Sequence, residues 1–264
     1  MNPLLSAVLR DLAIEGDILE GLVEALPTVA WAAATPAVGW TIAHQIAHLA
    51  WTDEVALLAA RAHDDKSSWD EVVLQALADP TGFVDAMAAQ GAAAPPEELL
   101  ARWRAARPAL AEALQTLPEG VRMPWFGPPM SATSMATARL METWAHSLDV
   151  HEAAGVEPER SDRVRHIAHL GVRTRNFSFA THGLAAPDAE FAVRLRAPSG
   201  DEWSWGPGEA TQSVTGSAYD FALLVTQRRH RDDLDLVANG SDADTWLDIA
   251  QAFAGPPGAG RSPS

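Results

Sequence analysis

The chain has 264 residues, 47% of them hydrophobic and 20% charged, which is enough apolar material for one large or two modest domains and too little charge for a disordered chain. A formal charge of −16 argues against nucleic acid or an anionic membrane surface as partner, because phosphates would be repelled. Cysteine is absent, so disulfides, thiolate metal ligands and a cysteine nucleophile are excluded, and any thiol chemistry must draw its sulfur from a small molecule. A single lysine, Lys66, confines Schiff-base chemistry to one position.

The first segment carries Leu5, Val8, Leu9, Leu12, Leu19, Leu22, Val23 and Leu26 at helical spacing, with Pro3 in the first turn and Pro27 as the stop. Its acidic residues interrupt the apolar pattern, so it does not read as a signal peptide. No uninterrupted apolar run approaches the roughly 18 residues of a membrane span. A soluble, cytoplasmic protein is the expectation. Thr41 is a plausible cap for a second helix reaching about residue 62. Helices are expected over 69–89 and 96–117. The stretch 118–133, with four prolines and two glycines, must be irregular. Thr133 or Ser134 would then cap a helix over 135–154 that ends at Gly155. These elements predict a bundle of four long antiparallel helices with one long crossover, over residues 1–158.

The pattern changes after Pro158. A linking helix is expected over 161–182, then a strand over 190–197, whose EFAVRLRA alternates apolar and charged residues. Strands over 201–205, 212–216 and 234–238, with helices over 218–228 and 242–253, complete a small α+β domain with a mostly antiparallel sheet over 159–255. Residues 256–264, rich in Gly, Pro and Ser, read as a disordered tail.

Two helical segments carry metal-ligand spacing. GWTIAHQIAHLAWTDE holds His44 and His48, and RLMETWAHSLDVHEAAG holds Glu142 and His146. Residues four apart share a helix face, so Glu142 and His146 can point at one spot, with His48 meeting them from a facing helix. Two imidazoles and a carboxylate suit a divalent metal with positions left open for chemistry. A hydrogen-bonded His–Glu–His cluster without metal satisfies the same residues. His44 is the reserve ligand if the first of these helices is rotated. Asp149, one turn beyond His146, is a candidate catalytic base or supporting group, although its plainer reading is a solvent-facing helix residue. Trp40, Trp51 and Trp144 are candidate pocket walls. His63, His151, His182 and His230 read as solvated, while His166 and His169 lie on the linking helix.

Those two segments resemble the signature helices of the DinB-like bundle superfamily, and more closely its mycothiol-dependent maleylpyruvate isomerase branch. The resemblance rests on the order and separation of the motifs and on the tryptophan before the second histidine. It implies His48, Glu142 and His146 as the ligand set, zinc as the usual ion and mycothiol as the thiol. VTGSAYDFALLVTQRRHRDDLDLVANGSDADTWLDIAQAF resembles the sterol-carrier-like α+β domain that follows the bundle in that branch. There the short apolar helix usually ends in Gly-Arg. Here the chain reads TQRRHR, so Arg228 or Arg229 stands in for the arginine that meets an anionic substrate.

The chemistry thus implied is metal-assisted isomerisation or S-transfer on a small electrophile, carboxylated if the arginine serves it, with the thiol as second partner. Two other readings stay open. One is hydrolysis or lyase chemistry with a metal and water but no thiol. The other is a non-catalytic binding protein for an apolar small molecule. A homodimer is compatible with all three.

Overall fold

A computed structural model describes residues 2–264. They form two compact units, Met1–Pro158 and Glu159–Ser264.

In the first unit, α1 (Pro3–Glu24) starts at Asn2, whose side chain accepts the Leu4 N–H at 3.0 Å. A short 3-10 turn over Thr28–Ala32 leads to α2 (Ile42–Arg61). Then follow α3 (Ser67–Ala78), α4 (Phe83–Ala92), α5 (Pro96–Thr116) and α6 (Ala132–Ala154). The long helices α1, α2, α5 and α6 make the bundle: α1 packs on α6 and α5, and α2 packs on α5 and α6 with α4 on its outer side. Leu19, Ile42, Ile46, Leu49, Leu99, Trp103 and Val150 lie in its core.

Two expectations need correction here. The helix expected over 69–89 is two helices, because Pro80 has no N–H to continue the ladder and the Asp79 carboxylate accepts the Gly82 N–H at 2.9 Å instead. The cap of α6 is Ser131, not Thr133 or Ser134. Its hydroxyl accepts the Ser134 N–H at 3.1 Å, and so the helix starts at Ala132.

α2 is buried on nearly every face, and polar groups are buried with it. Asp53 is 3% exposed and meets Arg139 of α6, itself 2% exposed, with Arg139 Nε donating to Oδ1 at 2.8 Å. The Trp103 indole of α5 donates to Oδ2 at 3.2 Å. One carboxylate therefore ties three of the four bundle helices together.

The second unit holds α7 (Val164–Arg173), α8 (Arg175–Thr181), β1 (Phe191–Arg196), β2 (Glu202–Trp205), β3 (Gln212–Ser217), α9 (Ala218–Val225), β4 (Leu236–Asn239) and α10 (Ser241–Ile249). The helix expected over 161–182 is broken at Thr174, whose hydroxyl reaches the Gln251 carbonyl at 2.7 Å as well as its own turn. The sheet order is β2-β1-β3-β4. Its outer pairs are antiparallel, as expected, but the central β1–β3 pair is parallel. That pairing requires the link after β2 to cross back over the start of β1. Gly206 permits it: φ is +79°, and a Cβ there would lie 2.1 Å from the Phe191 carbonyl oxygen. α9 ends at Val225, three residues short of the expected end. Gln227 then turns the chain with φ +57°, a left-handed conformation that glycine usually fills.

Removing one partner of a buried ion pair strands the other charge, at a cost of about 3–5 kcal/mol. Asp53→Ala and Arg139→Met are each expected to lower the urea-unfolding free energy by that order, and the double change Asp53→Leu/Arg139→Met by less than either. Equal losses in singles and double would show that the pair itself does not matter.

Candidate metal centre

His48, Glu142 and His146 are brought together by α2 and α6. Each offers one ligand atom, and among the described residues these atoms lie within 4.8 Å of one another. Glu142 Oε2 is 3.2 Å from His146 Nε2 and 3.6 Å from His48 Nε2. The two imidazole rings are 4.5 Å apart between centroids. The Glu142 side chain keeps 25% exposure while those of His48 and His146 keep 10% and 12%, so the cluster opens to solvent past the carboxylate.

The tautomer of His146 follows from a directional chain of hydrogen bonds. Thr35 Oγ1 donates to the Trp40 carbonyl at 3.0 Å, and Gln45 Nε2 donates to Thr35 Oγ1 at 2.8 Å. Gln45 Oε1 is left as an acceptor and takes the Nδ1–H of His146. Nε2 of a neutral His146 therefore presents a lone pair to the lone pairs of Glu142. That contact is repulsive unless a cation, a proton or a metal ion, lies between them. The donor set fits a divalent metal for this reason. His48 Nδ1, on the far side of its ring from Glu142, is buried without a protein partner.

Burial alone would raise the Glu142 carboxyl. Hydrogen bonds from His146 and His48, together with their charge when protonated, outweigh it and hold the group well below its ordinary value.

His44 is not a reserve ligand. Its Nδ1 accepts the Thr41 N–H at 3.3 Å and lies 2.8 Å from Thr41 Oγ1, closing the start of α2. Trp40 stacks on His146 at 5.9 Å with 17° between planes and also approaches His48 at 5.3 Å, while its indole donates to Asp85 of α4 at 2.9 Å. Trp51 lies 6.2 Å from His48. Trp144 is buried, but two positions on from Glu142 it does not share that face. Asp149 is buried rather than solvent-facing, and it stands outside the converging group. His151 is also buried, not solvated: as the last-turn residue of α6 it bonds the Ser147 carbonyl at 2.8 Å. In the second unit, Arg228 donates to the Thr226 carbonyl at 2.8 Å, and His169 accepts the Trp205 indole at 3.2 Å. Gln45 and Asp53 are the residues that sequence reasoning passed over. Gln45 lies on the face of His48 and Asp53 on another face of the same buried helix, and a polar residue within an apolar pattern was their only signal.

Residues 12–151 match the family described as the mycothiol maleylpyruvate isomerase N-terminal domain. The chain belongs to this family. Within the second unit, residues 187–239 match a family described as wyosine base formation. Two proteins from strains of Mycobacterium tuberculosis, uncharacterized proteins MT0041 and Rv0036c, are each 57% identical over 251 residues, covering 95% of this chain and 96% of theirs. A crystal structure of the mycothiol-dependent maleylpyruvate isomerase aligns over 90% of this chain and 95% of its own, with a TM-score of 0.57 and 15% identity. A histidine-to-alanine mutant of that enzyme aligns over the same shares with a TM-score of 0.59 and 17% identity. At such identities the likeness is one of fold.

Purified protein is expected to carry about one zinc-like ion per chain, and His48→Ala or Glu142→Ala to lose it. Gln45→Leu, which releases the His146 tautomer, should weaken the ion about 10–100-fold, measured by competition with a chelating dye. Full metal retention in both ligand variants would rule out the site. In metal-stripped protein, the folded Glu142 carboxyl lies below its unfolded value of 4.5, so its stabilisation is present above that pH and is lost as pH falls through the folded value. Glu142→Gln should flatten this acid limb in urea midpoints measured against pH.

Proposed function

We propose that this protein is a metal-dependent enzyme that uses mycothiol on a small, carboxylated electrophile, as an isomerase or a thiol transferase. The observation that carries the reading is the placement of two imidazole nitrogens on one oxygen of Glu142, at 3.2 and 3.6 Å. Membership of the mycothiol-dependent family supports the thiol. A divalent ion on these ligands, zinc by its affinity for nitrogen and oxygen donors, would favour the thiolate over the thiol at neutral pH.

The chain's own groups do the rest. His146 is held in one tautomer by Gln45, and His48 meets it from the facing helix. Glu142 supplies one negative charge, so the set leaves a divalent ion with net positive charge for an anionic sulfur. The partial exposure of Glu142 gives the thiol and substrate a route in. The sulfur adds to one carbon of an activated double bond, and the displaced pair moves onto the conjugated acceptor. Rotation about the new single bond and departure of the sulfur restore the alkene and the thiolate, which is isomerisation. A proton delivered to the carbanionic carbon while the sulfur remains gives S-transfer.

Arg228 is our candidate for the substrate carboxylate, in a bidentate grip. The left-handed turn at Gln227 occupies the place of the family's usual glycine, which favours Arg228 over Arg229 as the residue that follows it. Asp149, buried one turn past His146, is at most a supporting acid. We assign the reaction to the cytoplasm, where small thiols stay reduced.

Zinc-loaded protein should turn over unsaturated keto acids only when mycothiol is present. Glu142→Ala should lower kcat/KM by about a thousandfold or more, the loss of several kcal/mol of charge stabilisation. Turnover that persists in thiol-free buffer would favour water-dependent chemistry, and ligand binding without turnover would favour a binding protein.

A further inference from the structure

Trp40 is held at both ends. Its carbonyl accepts the Thr35 N–H at 2.8 Å and the Thr35 hydroxyl at 3.0 Å. That hydroxyl accepts from Gln45, which in turn holds His146, so the backbone of Trp40 belongs to the relay that sets the ligand's tautomer. At the other end the indole N–H donates to Asp85 Oδ1 of α4 at 2.9 Å. Between these anchors the ring lies within 17° of parallel to His146 and 5.3 Å from His48.

Asp85 is a firm anchor although its side chain is exposed. Two residues earlier, buried Phe83 packs edge-on against Trp51, which lies beside His48. Further along α4, Gly91 lets the helix approach α2 closely: a Cβ there would lie 2.9 Å from that of Ala47, the residue before His48. α4 is therefore fixed to the segment that carries one ligand. Burial does not demand the Asp85 bond, because water satisfies an indole N–H at the surface. What the bond adds is orientation. The face of an indole is electron-rich and is attracted to cationic partners, and imidazoles that share a lone pair with a divalent ion are such partners. A ring that swung away would lose that attraction and uncover both ligands.

We propose that Asp85 is a positioning residue of the metal centre: through the indole N–H it holds Trp40 parallel to His146 and over His48, and so strengthens the grip on the ion. The proposal rests on reading His48, Glu142 and His146 as a metal site. Groups one step removed from a metal ordinarily change its affinity by about 10–100-fold, and a contact made through a ring face belongs at the lower end of that range.

The test is the zinc affinity of the full chain, by competition with a chelating dye, in Asp85→Ala, Asp85→Asn, Trp40→Phe and the Trp40→Phe/Asp85→Ala double variant. Asp85→Ala should weaken zinc by about tenfold without changing the Tm of the metal-free protein. Asp85→Asn keeps an acceptor oxygen and should recover most of the loss. Trp40→Phe keeps a ring but has no N–H to hold, so adding Asp85→Ala to it should cost nothing more. In cobalt-loaded protein the visible bands, which report ligand geometry, should move in Asp85→Ala and return in Asp85→Asn. Unchanged zinc affinity or a lowered Tm in Asp85→Ala, no recovery in Asp85→Asn, additive losses in the double variant, or unmoved cobalt bands would each overturn the proposal. Those outcomes leave the metal site standing, whereas a wild-type chain that takes up neither zinc nor cobalt defeats the metal reading and this one together.

Discussion

The buried Asp53–Arg139 pair ties α2 to α6, and the convergence of His48 with Glu142 and His146 depends on how those two helices are aligned. His48 lies five residues before Asp53, and Glu142 lies three residues after Arg139. A slip of one turn in either helix would carry the ligands apart by about 5 Å, beyond coordination distance. Apolar packing alone tolerates such slips, because leucine and alanine surfaces are interchangeable at modest cost. A buried charge accepts one partner in one place, since its desolvation is recovered only in good geometry. The pair therefore contributes alignment at least as much as stability, and Trp103 extends the same constraint to α5.

The cluster itself shows how a helix bundle assembles a candidate metal centre from ordinary side chains. Gln45, Thr35 and Trp40 turn a run of hydrogen bonds into a choice of tautomer, and the tautomer points a lone pair of His146 at a carboxylate. The repulsion so created is relieved by a cation. The environment is thus preorganised for a positive ion through the positions of neutral groups, with a single acid supplying charge. Because Glu142 stays partly exposed, this electrostatic demand is met at the edge of the bundle rather than in its sealed interior.

Much of the architecture was legible in the sequence because it is local. The 3.6-residue spacing of Leu5, Val8, Leu9 and Leu19, the stop at Pro27 and the left-handed Gly155 act within a turn or two. So does the four-residue step from Glu142 to His146. The misses arose at different ranges. Whether 69–89 is one helix or two was decided by Asp79 accepting a backbone N–H, and the break at Thr174 by a bond to Gln251, 77 residues away. His48 was the expected member of the cluster and it does meet Glu142 and His146, while Thr41 takes His44 for the helix start. The parallel pairing of β1 with β3 could not be read from strand patterns, since alternation says which face is buried and nothing about which neighbour is adjacent.

The sequence by itself determined the helical content, the small sheet that follows the bundle and the residue types available for chemistry: no cysteine, one lysine, and a histidine pair with a glutamate at metal-ligand spacing. Tertiary structure alone decided that α2 and α6 bring His48 to Glu142 and His146, that Asp53, Arg139, Asp149 and His151 are interior, and that an exposed Phe126 continues a line of rings from His48. The physical reason is range. Periodicity and capping are settled by neighbours along the chain, whereas burial of a charge, the tautomer of an imidazole and the convergence of ligands depend on which distant surface arrives opposite.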